Sequence, residues 1–327
     1  MIMMMPVITN KGAVTTAGTV PVAMGTMFFG TQVPADQSTS CLDHSYDIGM
    51  RFWDTANNYA FWAGGTGDES ETVLGDWFAT RGPAARDDVV LATKVGARPR
   101  PGGTDLTQAL GLSAPMVRTQ ALDSLRRLRT DYIDLLYAHI DDSTVPLAET
   151  LGGLGELVEE GLVRQIAASN LTAPRLKEAV GVGKSSVHGY TALQQRFSYL
   201  IPSRTADLSP HVLLDDQIEF TCTENDLTML GYSPLLSGAY TRPDRALPDG
   251  YNTSTARHAL NVLSEVAEEA SLDTGQTVLA WMARRSFPVL PVVGVSSAEQ
   301  VASAWQAVTS ELTHDAISRL ETARTGA

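Results

Sequence analysis

Apolar residues in this chain gather into short runs nearly free of charge, separated by longer stretches in which apolar positions recur every three or four residues. The runs at 21–25, 51–54, 89–95, 132–139, 164–169, 191–198, 227–233 and 288–293 have strand length, and their continuous hydrophobicity suits strands covered on both faces. Between them lie helical patterns. Residues 117–128 place Val117, Ala121, Leu125 and Leu128 on one face and basic residues opposite. Ser70 and Glu71 ahead of Val73 and Leu74, and Pro146 and Gly161 bracketing 147–160, supply start and stop signals. Eight strands alternating with seven crossover helices, one through 42–48, predict a parallel α/β structure. Eight units favour a closed (β/α)8 barrel, the TIM barrel, over an open sheet. No glycine-rich fingerprint follows the first strand, which argues against a Rossmann fold. The segments flanking Ala17 and Gly18 predict a small N-terminal β-hairpin. Residues 98–113, 200–210 and 240–254 are long and rich in Pro, Gly or Ser, the marks of functional loops, and 98–113 and 240–254 are expected to act as lids. None breaks the chain, so 1–327 reads as one domain.

Composition narrows the function. With 24 Lys and Arg against 37 Asp and Glu, the formal charge is -13, which excludes nucleic acid and anionic membrane as general partners and favours a small-molecule substrate. The two cysteines, Cys41 and Cys222, form no disulfide framework or metal-binding spacing. The start of the chain lacks the basic flank of a secretory signal, and no apolar run reaches membrane-spanning length, so a cytoplasmic protein is expected.

The chemistry collects at strand ends. The second strand closes on Asp54, followed by Ala56, Asn57 and Asn58, which read as a turn because Asn tolerates left-handed backbone and bonds its own chain; Tyr59 lies just beyond. Lys94 sits in an otherwise uncharged strand and needs a carboxylate partner. In the fourth strand a period of two puts Ile133, Leu135, Tyr137 and His139 on one face. In a parallel barrel all strands end on one mouth, so Asp54, Tyr59, Lys94 and His139 are expected to converge there as a proton-donating site. A phenol titrates near 10, and a neighbouring Lys94 ammonium is expected to lower that value while Asp54 holds the ammonium charged.

These residues, with Thr93-Lys94, Asp134-Leu135-Leu136, Ala168-Ser169-Asn170, Leu193-Gln194 and Gly231-Tyr232-Ser233-Pro234-Leu235, resemble the aldo-keto reductase family over almost the whole chain. The resemblance implies carbonyl reduction, or the reverse oxidation of an alcohol, with NADP as cofactor and NAD as a possible substitute. By the same resemblance Tyr59 is the general acid, Asp54 and Lys94 tune it, and His139 orients the carbonyl. Ser169, Asn170 and Gln194 would hold the nicotinamide carboxamide and Tyr232 would stack on its ring. Backbone around Gly25 and Met27, and from Ser233 through Leu235 and Ser237 to Gly238, would meet the ribose and pyrophosphate. Gly294, Ser296, Ser297 and Gln300 would lie by the adenosine end. There the chain departs from the family, which often carries a basic residue near Ser296 or Ser297; Arg242 is the candidate to compensate.

Two other readings stand beside this one: a Schiff-base lyase or isomerase using the Lys94 amine, and a nicotinamide-sensing regulatory subunit with little turnover. For the substrate, Phe28, Phe61, Trp62 and Tyr251 are candidates for an apolar lining. Arg98, Arg100, Asp141 and Arg204 are candidates to bind sugar hydroxyls or an acid, which leans toward a polar or sugar-like carbonyl compound.

Overall fold

The computed structural model describes residues 22–326; the expected hairpin around Ala17 and Gly18 lies outside them. In chain order the elements are β1 (Ala23–Gly25), α1 (Ala35–Ile48), β2 (Phe52–Asp54), α2 (Glu69–Arg81), α3 (Pro83–Asp88), β3 (Val90–Val95), α4 (Ala114–Leu128), β4 (Ile133–Ala138), α5 (Leu147–Glu159), β5 (Val163–Ser169), α6 (Ala173–Lys184), β6 (Ala192–Arg196), α7 (Asp216–Thr223), β7 (Thr228–Tyr232), α8 (Ser254–Ala270), α9 (Thr274–Arg284), β8 (Leu290–Gly294), α10 (Ala298–Thr309) and α11 (His314–Thr325). The eight strands pair in parallel in sequence order, and β8 closes on β1. The closed (β/α)8 barrel is therefore as expected.

Two apolar layers hold it. Alternate strand residues, among them Ala23, Phe52, Val90, Ala92, Leu135, Tyr137, Ala167, Ala192, Leu230, Leu290 and Val292, form one cluster. The other parity joins the helices in a larger outer cluster that includes Trp53, Leu91, Leu136, Ala168 and Leu193. Ile133, at the first position of β4, is an exception to the expected face and belongs to the outer cluster. The alternation follows from the two-residue period of a strand, and it decides what reaches the mouth. Followed toward the carboxyl ends, the inward series terminates in Gly25, Asp54, Lys94, His139, Ser169, Gln194 and Arg196, Tyr232, and Gly294.

The outer layer is close-fitting. A Cβ on Gly75 in α2 would fall on the Arg127 carbonyl oxygen of α4, so only glycine lets those helices approach as they do. The expected lids are folded back onto the body. Pro99 and Ala109 form an antiparallel bridge within 98–113, while Arg98 bonds the Asn57 carbonyl at 2.6 Å and Asp68 at 2.6 Å. In 240–254 the Tyr240 hydroxyl accepts the Leu200 amide at 3.0 Å, and Tyr251 has no exposed surface. Among the described residues no helix is long and apolar enough to cross a membrane.

Candidate active site

Asp54, at the end of β2, has no exposed surface and needs its charge compensated. Lys94, from β3, does so: its ammonium donates to Asp54 Oδ2, to the Thr55 carbonyl at 2.9 Å and to the Tyr59 hydroxyl at 2.7 Å. Three N–H groups meet three acceptors. The Tyr59 hydroxyl donates in turn to Asp54 Oδ2 at 3.2 Å, and Gln194 Nε2, from β6, donates to Asp54 Oδ1 at 2.8 Å. His139 follows β4, its ring edge-on to Tyr59 with centroids 5.9 Å apart. Its Nδ1 is buried without a hydrogen-bond partner. The four residues thus stand together at one mouth.

Burial dominates the electrostatics. The Tyr59 phenol is pushed well above its ordinary value, first by desolvation and then by the Asp54 carboxylate. This corrects the expectation that Lys94 would lower it: in so enclosed a position the cost of a dry phenolate beside a carboxylate outweighs the ammonium. Burial also lowers Lys94, with Asp54 opposing. His139 is held well below the ordinary histidine range by burial, then by Lys94 and His211. Across neutral pH the phenol keeps its proton and the imidazole is uncharged.

The turn after β2 is built differently from its sequence reading. Asn57 and Asn58 are buried and bond outward, to Gln120 Oε1 at 3.1 Å and to the Ala97 carbonyl at 3.2 Å. The left-handed residue is Ala60, with φ 61°, immediately after Tyr59. Behind the site the start of α2 works as a clamp. The Ser70 hydroxyl lies 2.8 Å from those of Thr26 and Thr55, tying the ends of β1 and β2. Glu71, fully buried, accepts from Thr93 Oγ1 at 2.6 Å and Arg127 Nε at 2.7 Å, fixing the strand that carries Lys94. Sequence reasoning saw these two residues only as a helix start; an acid inside an apolar helical pattern was the signal for a buried pair.

The residues assigned to a cofactor by resemblance lie at the ends of β1, β5, β6, β7 and β8 or in the loops that follow, on the same mouth. Gly25 closes β1, and Met27 follows it, half-buried. Asn170, at φ 57°, donates to the His139 carbonyl at 3.1 Å and to Ser169 Oγ at 3.0 Å. Its Oδ1 accepts the Val212 amide at 3.2 Å and the Tyr232 hydroxyl at 2.7 Å. Gln194 turns its amide to Asp54. Ser233, Leu236, Ser237 and Gly238 all have left-handed backbone, while Leu235 keeps a negative φ. A Cβ on Gly294 would meet nothing within 4 Å. Ser297 caps α10 by accepting the Gln300 amide at 3.4 Å, and Gln300 Oε1 accepts the Ser296 amide at 2.7 Å. Arg242 is exposed and paired with Asp244 at 2.6 Å.

Of the substrate candidates, Arg98 is committed to the loop bonds above, and Asp141 is bound by Arg175 through Nε at 2.9 Å and Nη2 at 2.9 Å. Phe28 and Phe61 are half-buried, Trp62 is 53% exposed, and Arg204 is exposed. His211 and Arg196 also belong to this region and were not singled out from the sequence. The strand parity that marked His139 marks Arg196 equally.

A closed parallel barrel carrying a buried acid, an ammonium, a phenol and an imidazole at its strand ends belongs to the class of barrel enzymes. The aldo/keto reductase family model matches residues 21–325, and the chain belongs to that family. It is similar to the aldo-keto reductase str7 of Strobilurus tenacellus, 30% identical over 281 residues covering 81% of this chain and 74% of that protein. It is also similar to norsolorinic acid reductase stcV of Emericella nidulans, 30% identical over 318 residues and 92% and 77% of the two chains. The Schizosaccharomyces pombe aldo-keto reductase yakc, whose name specifies NADP(+), is 28% identical over 278 residues and 79% and 74% of the two chains. As a member of the family this protein is an oxidoreductase of carbonyl compounds that works with a nicotinamide cofactor.

Proposed function

We propose that Tyr59 is the proton donor in the reduction of an aldehyde or ketone, with the substrate oxygen seated between the Tyr59 hydroxyl and the His139 ring. The observation that carries this is the single ammonium of Lys94 bonded at once to Asp54, Thr55 and Tyr59. When bound, a reduced nicotinamide supplies the hydride to the carbonyl carbon. Tyr59 Oη gives its proton to the developing alkoxide, and the Lys94 N–H already aimed at Oη stabilises the phenolate left behind. Asp54 keeps Lys94 charged, and Gln194 keeps Asp54 in place. Neutral His139 orients the oxygen through a ring N–H and does not compete as an acid. In the oxidation of an alcohol the same atoms move the proton back.

The residues present fit a dinucleotide laid across the mouth. Residues 236–238 keep left-handed backbone in a tight turn at the mouth, and Gly294 leaves open space where a side chain would stand. Ser169 and the Tyr232 ring would hold the nicotinamide, with Asn170, its amide fully bonded, fixing both in place, and Gly25, Met27, Ser233, Leu235, Ser237 and Gly238 along the ribose and phosphates. Ser296, Ser297 and Gln300 would meet the adenosine end. We assign NADP as the cofactor, in line with the name of the yeast relative, with weak discrimination against NAD. The start of α10 offers hydroxyls and the exposed Glu299 where a cation would otherwise meet the 2′-phosphate. A Schiff-base role for Lys94 fits less well, since each of its N–H groups is already engaged.

The test is a screen of aldehydes and ketones followed by nicotinamide absorbance, repeated with Tyr59→Phe. Turnover should fall on the order of 100- to 10000-fold while NADPH still quenches tryptophan fluorescence. A variant with wild-type kcat would remove Tyr59 from the mechanism.

A further inference from the structure

Arg196 ends β6 on the inward series that begins at Ala192 and passes through Gln194. Two residues of strand rise about 6.6 Å, so its backbone stands one such step nearer the mouth than Gln194, whose amide reaches Asp54. Residues 212–214 bond its main chain along one edge, as a parallel bridge opposite Leu213, and β7 pairs with it at Tyr232 along the other. The Arg196 amide donates to the Val212 carbonyl at 2.9 Å, and the Leu214 amide donates to the Arg196 carbonyl at 3.0 Å. Its Nε donates to the hydroxyl of buried Tyr251 at 3.2 Å. The guanidinium is thus fixed from its stem.

Its outer nitrogens are not spoken for. The bond to Tyr251 is its one side-chain hydrogen bond among the described residues, and no carboxylate pairs with it there. Of the arginines with little exposed surface, Arg86, Arg127, Arg175 and Arg285 each hold an acid, whereas Arg284 and Arg324, like Arg196, have none within ion-pair distance among the described residues. Arg196 differs from those two in standing on the inward series at the end of a barrel strand, where they lie on the outer helices α9 and α11. The histidines beside it add no charge of their own: burial holds His139 well below the ordinary histidine range, and burial and then Arg196 lower His211. The acid beneath, Asp54, is occupied by Lys94, Tyr59 and Gln194.

We infer that Arg196 binds an anionic group of the carbonyl substrate, a carboxylate or a phosphate set several bonds from the carbonyl. This rests on the reading of Tyr59 as the donor that fixes where the carbonyl sits. The anion would lie one strand step toward the mouth, received by two parallel guanidinium N–H groups. It would replace the sugar-like substrate suggested by Arg98 and Asp141, both of which are committed elsewhere.

The experiment compares 4-carboxybenzaldehyde with its methyl ester, and glyceraldehyde 3-phosphate with glyceraldehyde, in wild type, Arg196→Gln and Arg196→Lys. The wild type should favour at least one charged member on the order of 10- to 100-fold in kcat/KM, and the pair that shows it distinguishes carboxylate from phosphate. Arg196→Gln should bring that ratio to about one, and Arg196→Lys should keep part of it as a point charge without the fork. No preference in the wild type, or equal loss on charged and neutral partners, overturns the proposal. So does weaker NADPH binding by Arg196→Gln in fluorescence quenching, which would give the guanidinium to the cofactor phosphates. Terephthalate and phosphoglycolate, neither of them reducible, are titrated by calorimetry into the protein with NADP(+). Binding of either that is lost in Arg196→Gln supports the anion site even if Tyr59 proves not to be the donor. Absence of binding by both counts against it.

Discussion

Gln194 of β6 and Asp54 of β2, 140 residues apart in sequence, are joined across the barrel by a 2.8 Å hydrogen bond from the amide to the carboxylate. The bond gives Asp54 a donor on each oxygen, since Lys94 and Tyr59 meet the other. An acid so placed cannot rotate away from the ammonium without leaving a buried oxygen unpaired.

Gln194→Leu should therefore lower stability by about 1–3 kcal/mol, the cost of an unsatisfied buried acceptor, and lower kcat as Asp54 loses its orientation. Urea unfolding and steady-state rates give the check. An unchanged midpoint with unchanged kcat would mean that the bond does nothing for Asp54.

The pH dependence of reduction follows from the raised phenol. A donor that keeps its proton beyond its ordinary value of about 10 should produce no falling alkaline limb in kcat/KM between pH 6 and 9, those limits being about four and one units below that value. A limb in that interval which disappears in Tyr59→Phe would show a phenol titrating far lower than its surroundings imply.

His139 makes stability depend on acid. Its folded pKa is depressed, so below the unfolded value of about 6.5 the unfolded chain binds more protons than the folded one. Stability is then fully present above that value and is lost as pH falls, at up to about 1.4 kcal/mol per unit. Between pH 7 and 5, limits set about half a unit above and 1.5 units below the unfolded value, wild type should lose more than His139→Gln, by at most about 2 kcal/mol. Equal losses in the two proteins would place a charged imidazole in the native state.

Ser296→Arg should tighten NADPH on the order of 10- to 100-fold more than NADH, with a gain that shrinks as salt is added. Ser296 is the better site than Ser297, because Ser297 caps α10. Equal effects on the two cofactors would place the 2′-phosphate elsewhere.

The barrel was legible because its signals are local and repeated: charge-free runs of strand length, amphipathic helices between them, and an inward series with a period of two. The same period brought Asp54, Lys94 and His139 to one place. What it could not supply was partnership. Asn57 and Asn58 stand in a turn as read, yet their side chains are also buried cross-links, because a short polar side chain can serve both purposes and only the neighbouring chain decides. The Tyr59 phenol was misjudged for a related reason: Lys94 and Asp54 were visible, but the depth at which all three lie was not. Arg196 and Arg98 are both arginines near a strand end. One is paired by Asp68 and the other stands without an acid, a difference carried by contacts between segments distant in sequence.

The Asn170 side chain binds together the end of β4, Ser169, the loop at Val212 and Tyr232. That half of the mouth is one knot, in which any replacement disturbs four segments at once. Across from it, Phe61 and Trp62 touch each other edge to face at 5.1 Å, and Trp62 stands half in solvent. Evolution and engineering therefore have unequal freedom here: replacing Phe61 or Trp62 gives up one aromatic contact, while replacing Asn170 loosens four segments together.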